Sequence, residues 1–103
     1  MNSINYQKFV NTSCKSYVNK NYLVVAINEE AGEIAGWHKK MVLKKGKNLK
    51  KGKLTKQDLK EEVGDVLFYL TRLAKLYGWS LEDVMQANVE KLVAEEEEKK
   101  NAK

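Results

Sequence analysis

Proline is missing from all 103 residues, and cysteine occurs once. Without proline nothing locks φ or removes a backbone donor, so long uninterrupted helices are allowed. Cys14 has no partner for an internal disulfide. It reads as a small helix residue in a reducing compartment rather than a catalytic thiol. No apolar run approaches the ~20 residues of a membrane span. The N-terminal MNSINYQKFV has no basic stretch followed by an apolar one, so no secretory signal is expected and a cytoplasmic location is. Acids are outnumbered, 14 against 19 bases, giving a net charge of +5 and a pI near 9.2. That balance favours anionic partners, whether nucleic acid, phosphates or nucleotides, without choosing among them.

What is present suits one globular domain over residues 1–103, with 43% apolar and 32% charged residues. Such a chain buries a modest core, and a second chain would help it. Apolar positions at Ile4, Phe9, Val10, Tyr17 and Val18 predict a short first helix over 3–19. A stronger second helix is expected over 22–43. Leu23, Ile27, Ile34 and Met41 make its stripe, with Val24, Ala31, Ala35 and Val42 beside it. So wide an apolar face implies burial on more than one side. The stretch KKGKNLKKGKLTK, from Lys44 to Lys56, has seven lysines and two glycines and reads as a loop.

Thr55 and Asp58 match a capping box that opens a third helix. Its stripe is Leu59, Val63, Val66, Leu67, Leu70, Leu73, Ala74 and Tyr77, and Gly78 is placed to end it. Ser80 and Asp83 form a second capping box. The fourth helix follows with Leu81, Val84, Met85, Val89, Leu92 and Val93. The final EEEEKKNAK reads as a fraying helix end or a solvated tail over 95–103. No strand is convincing. The expectation is an all-α, antiparallel bundle of about four helices, completed by oligomerisation.

Two acidic segments interrupt this pattern with glycine: NEEAGEIAG from Asn28 to Gly36, and EEVGD from Glu61 to Asp65. Glycine in a helix interior costs about 1 kcal/mol against alanine, and like charges at helical spacing cost more. Glu30 with Glu33, and Glu62 with Asp65, are pairs three residues apart that border the apolar stripes. If the two helices pack antiparallel, four carboxylates converge. They must then take up protons or bind a cation. All-oxygen ligands suit Mg²⁺ or Mn²⁺ rather than zinc. Gly32 and Gly64, lacking Cβ, would let the helices approach closely. The bland alternative is that these are ordinary exposed helix glutamates.

EEAGE followed by EEVGD resembles the EExxE and ExxD signature of the MazG-like nucleotide pyrophosphohydrolases, in the all-α NTP pyrophosphatase superfamily. GDVLFYLTRLAKLYGWSLEDVMQANVEKL is similar to the C-terminal half of small members, so the resemblance covers roughly residues 23–93. It implies a helical protein assembling as a homodimer or a dimer-of-dimers tetramer. It also implies Mg²⁺-dependent hydrolysis of nucleoside triphosphates between the α and β phosphates, with Mn²⁺ as a substitute. The matching metal ligands are Glu30, Glu33, Glu62 and Asp65. Glu29 matches the first acid of EExxE; it holds a water beside the metal, acts as general base, or does neither. Glu29 and Glu30 are the catalytic candidates.

Around this set, Tyr69 lies one turn after Asp65, where the resemblance implies a nucleotide contact and packing alone would suit a core tyrosine. Trp37, one turn after Glu33, is a candidate for stacking on a base or for packing. Lys39 and Lys40 are candidates for phosphate contact. Asn88 interrupts the fourth stripe and needs a partner; with Lys91 it resembles a phosphate- or nucleotide-contacting pair. His38 reads as solvated or packed. The lysine-rich loop has no interleaved aromatics, so nucleic acid is not the expected partner. Two alternatives stay open. One is a related hydrolase acting on phosphoribosyl-ATP or another pyrophosphate-linked metabolite. The other is a non-enzymatic basic helical module binding nucleic acid or protein.

Overall fold

The computed structural model describes residues 1–13, 19–43 and 55–102. Cys14, the end of the expected first helix and most of the lysine-rich loop lie outside the described residues. Four α-helices occur among the described residues: α1 (Ser3–Ser13), α2 (Lys20–His38), α3 (Lys56–Leu76) and α4 (Leu81–Asn101). No described residue is in a strand, so the protein is all-α. None of these helices is long and apolar enough to cross a membrane.

Each helix starts where a side chain satisfies the free N–H groups of its first turn. Asn2 accepts from the Asn5 N–H at 2.8 Å and Asn19 from the Tyr22 N–H at 2.9 Å. Thr55 with Asp58, and Ser80 with Asp83, are reciprocal capping boxes. α3 stops at Gly78, whose φ of +78° lies in the left-handed region that favours glycine. The Trp79 N–H then bonds the Ala74 carbonyl, and the Gly78 N–H that of Lys75, both at 3.0 Å. α2 runs on into a π-helical turn, Lys39–Leu43, so the expected helix over 22–43 changes its winding near the end. α4 continues through the acid-rich stretch to Asn101, with Lys99 and Lys100 in its last turn complementing the helix dipole.

α2 and α3 make the largest helix–helix contact. They run antiparallel. At one end the Trp37 indole N–H donates to the Thr55 carbonyl at 2.8 Å, and at the other Lys20 sits over the Tyr77 ring at 5.1 Å. α1 braces this hairpin. The buried core is drawn from these three helices: Val10, Leu23, Thr71 and Ala74. Thr71 is tolerated there because its hydroxyl donates to the Leu67 carbonyl of its own helix at 2.7 Å.

The four-helix bundle is not closed within one chain. From Glu82 onward every described residue of α4 is exposed. The radius of gyration is 17.4 Å, against about 13 Å for a compact chain of this length.

Candidate functional site

Three of the four expected carboxylates come together. Glu30 lies on α2, and Glu62 and Asp65 lie three residues apart on α3. One oxygen from each falls within 4.8 Å of the others. The antiparallel hairpin causes this, because it sets the middle of α2 against the first half of α3. Glu33 and Glu29 stay exposed and outside that trio. Both add negative charge beside Glu30, and Glu33 also beside Glu62.

The electrostatics are unfavourable for bare carboxylates. Desolvation raises the Glu30 carboxyl above the ordinary range, and the charges of Asp65, Glu62, Glu29 and Glu33 add to it. Glu62 is raised by desolvation and then by Asp65, Glu33, Glu61 and Asp58. The Glu62 Oε2 is buried without a hydrogen-bond partner. A carboxylate oxygen in that condition is costly unless it is protonated or meets a cation. The donor set, carboxylate oxygens alone, fits a hard divalent ion.

The trio opens onto a cavity of about 680 Å³, within the 300–1,000 Å³ typical of small-molecule sites. Two further acids, Asp58 and Glu61, line it with Glu30, Glu62 and Asp65. The rest of the lining is aromatic apart from Gly64: Tyr6 and Phe9 from α1, and Phe68 and Tyr69 from α3. None of these lining residues is basic. The Arg72 guanidinium covers the Phe68 and Tyr69 rings at 5.7 and 5.9 Å. Desolvation raises the Tyr69 phenol, Tyr22 and the Glu30 charge add to this, and Arg72 opposes it.

The other candidates are dispersed. Tyr69 faces the cavity. Trp37 instead ties the end of α2 to the start of α3 through its bond to Thr55. Lys39 and Lys40 are exposed in the π-helical turn, and His38 is exposed at the end of α2. Asn88 and Lys91 stand on the bare α4, where Lys91 pairs with Glu95 at 3.9 Å. None of these residues except Tyr69 lines the cavity of its own chain.

The expected role of the glycines is corrected. A Cβ built at Gly32 or Gly64 meets nothing within 4 Å. Neither glycine is therefore needed for close approach of α2 and α3 within one chain. Sequence reasoning also missed Asp58 and Glu61 as cavity residues, although 58, 61, 62 and 65 form an acidic stripe at helical spacing. It missed Tyr6 and Phe9 altogether as site residues. Their only signal was a pair of aromatics three apart on the first helix.

A family model described as the MazG nucleotide pyrophosphohydrolase domain matches residues 19–98, from the cap of α2 through most of α4. Among curated proteins, one match is "Uncharacterized protein YvdC" of Bacillus subtilis (strain 168). It is 60% identical over 37 residues, which is 36% of this chain and 35% of that protein. Another is "Gene 37 protein" of Mycobacterium phage L5, 35% identical over 82 residues, or 77% of this chain and 68% of that one. The chain thus spans about a third of YvdC and about two thirds of the phage protein. No solved structure matches.

Proposed function

The chain belongs to the MazG nucleotide pyrophosphohydrolase family, and on that basis we propose that it is a Mg²⁺-dependent hydrolase of nucleoside triphosphates. It cleaves between the α and β phosphates, releasing a nucleoside monophosphate (or its deoxy form) and pyrophosphate. The observation that carries this reading is the cavity's charge. Five carboxylates line it and no lining residue is basic. A bare polyphosphate would be repelled there, and divalent cations held by the carboxylates would offset that repulsion.

Glu30, Glu62 and Asp65 would hold the ion, with Glu33 as the fourth ligand; Mn²⁺ would substitute for Mg²⁺. When bound, the ion supplies charge neutralisation and polarisation at phosphorus. The raised proton affinities of Glu30 and Glu62 mean that loading the site displaces protons. Glu29, next to Glu30 and outside the trio, is the proposed base that accepts the proton of the attacking water.

The active form is a homodimer or a dimer of dimers. Support comes from apolar side chains left 39–65% exposed on three helices: Val24 and Val25 on α2, Val63, Leu67 and Leu70 on α3, and the α4 stripe. Exposed apolar surface of this extent marks a contact with another chain. Asn88, Lys91, Lys39 and Lys40, absent from the cavity of their own chain, reach substrate across that contact.

The test is a panel of nucleoside and deoxynucleoside triphosphates with Mg²⁺, scored for pyrophosphate against orthophosphate. Pyrophosphate release that stops with a chelator is expected. Predominant orthophosphate, or no turnover of any nucleotide, would overturn the proposal.

A further inference from the structure

The family match begins at residue 19, so α1 lies outside it. Yet α1 sends two aromatic side chains to the cavity that holds the carboxylate trio. We infer that α1 is the base-recognition wall of this site, with the Phe9 and Tyr6 rings as the surface on which the substrate's nucleobase stacks. The inference rests on the proposal that the cavity takes a nucleotide.

Three observations support it. The first is which ring faces are free. On the α3 side Phe68 and Tyr69 meet edge to face, with centroids 5.6 Å apart and planes at 85°, and Arg72 covers both rings. On the α1 side Tyr6 and Phe9 are 6.3 Å apart at 38°, with no cation over either ring among the described residues. Phe9 is 55% exposed. A ring left that exposed at the mouth of a ligand-sized cavity offers its face to a flat ligand.

The second is anchoring. α1 is short and outside the hairpin, but it is not loose. Val10, next to Phe9, is fully buried. Gln7, next to Tyr6, accepts from the Leu81 N–H at 2.7 Å, linking α1 to the first turn of α4 across 74 residues. The two rings therefore sit on an element held from both sides, as a recognition surface requires.

The third is division of labour. The acids face cations and phosphates, and carry no flat apolar surface for a base. Tyr6 and Asp65 line the same cavity. The wall thus begins where the carboxylates end. A nucleotide lying in the cavity spans the two.

The experiment is calorimetric binding in Mg²⁺ of two ligands. One is a nucleoside triphosphate with a methylene group between the α and β phosphates, which resists the proposed cleavage. The other is inorganic tripolyphosphate, which has no base. The original protein should bind the nucleotide about tenfold more tightly or better, since one stacked base contributes on that order. Phe9→Ala should lose most of that advantage while keeping its affinity for tripolyphosphate. Phe9→Trp should restore it, and Phe9→Leu, apolar but without a π face, should not.

Equal loss for both ligands in Phe9→Ala, or rescue by Phe9→Leu, would make Phe9 a packing residue and overturn the inference. So would no change in either ligand. If the original protein binds neither ligand with Mg²⁺, the nucleotide reading fails with it. If it binds both and Phe9→Ala keeps the original preference for the nucleotide, the wall alone is refuted.

Discussion

α3 and α4 are twins by their local signals. Each has 21 residues, each opens on a reciprocal capping box, and each carries an apolar stripe. Yet α3 buries Thr71 and Ala74 and half-buries its face toward α2, while α4 buries nothing. The difference lies in their neighbours. α3 packs antiparallel on α2, with the Trp37 indole bonded to the Thr55 carbonyl where the two helices meet, so its stripe meets another stripe within the chain. α4 leaves Gly78 in a direction that brings only its first turn against α1 and α3. Caps and periodicity specify a helix; they do not specify its partner.

The comparison breaks most sharply at the carboxylate trio. Glu62→Gln on α3 should cut pyrophosphate release by more than about a hundredfold, beyond what loss of a supporting outer partner costs. Its fold by circular dichroism should persist, since one repulsive carboxylate has gone. Mg²⁺ should raise the melting temperature of the original protein through binding linkage and that of the variant less. A Glu62→Gln protein with the original rate would defeat the metal assignment.

The next largest effect concerns α4. Leu92→Glu places a charge in its exposed stripe, where Leu92 is 54% exposed in one chain. Light scattering at tens of micromolar should show the mass falling towards the 11.8 kDa of a single chain. If α4 needs no partner, the mass is single in both proteins and the substitution is silent.

A smaller effect separates the two helices by pH. Glu30 and Glu62 hold protons more tightly in the folded protein than at the ordinary value of 4.5. The stability they contribute is therefore complete below that value and is lost as pH rises through their raised folded values. With a chelator present, the melting temperature should climb as pH falls from neutral toward 4.5, and Glu62→Gln should flatten the climb. Glu95→Gln on α4, whose carboxylate is outside the trio, should leave the slope intact.

The smallest expected effect is Gly32→Ala on α2. With nothing within 4 Å of the new methyl group, it should stabilise the protein by about 0.5–1 kcal/mol in chemical denaturation. Destabilisation would show that this side of α2 meets a second copy, and would return to the glycine a role in close approach.

The helices were readable because their signals are local. Asn, Thr and Ser caps, Gly78 and the 3.6-residue stripes all act within a few residues of themselves. The acids were readable in pairs, since Glu62 and Asp65 share a helix. The α1 wall was not, because nothing in SINYQKFVNTS says which way Tyr6 and Phe9 face. That follows from Val10 entering the core and Gln7 reaching Leu81. Trp37 could be read from its position after Glu33 as stacking on a base or as packing; what the position did not reveal is that its indole bonds Thr55, 18 residues away.

By itself, then, the sequence determined an all-α chain, the start and stop of most of its helices, and an acidic signature that identifies its family. Each of these depends on short-range hydrogen bonding, on steric freedom at one residue, or on residue identity. Only the tertiary structure decided that Glu30 joins Glu62 and Asp65 while Glu33 stays outside, that aromatic rings from α1 share their cavity, and that α4 stands uncovered. Those outcomes depend on which apolar faces find each other. Burial is non-directional, so an apolar stripe marks what must be covered without naming what covers it.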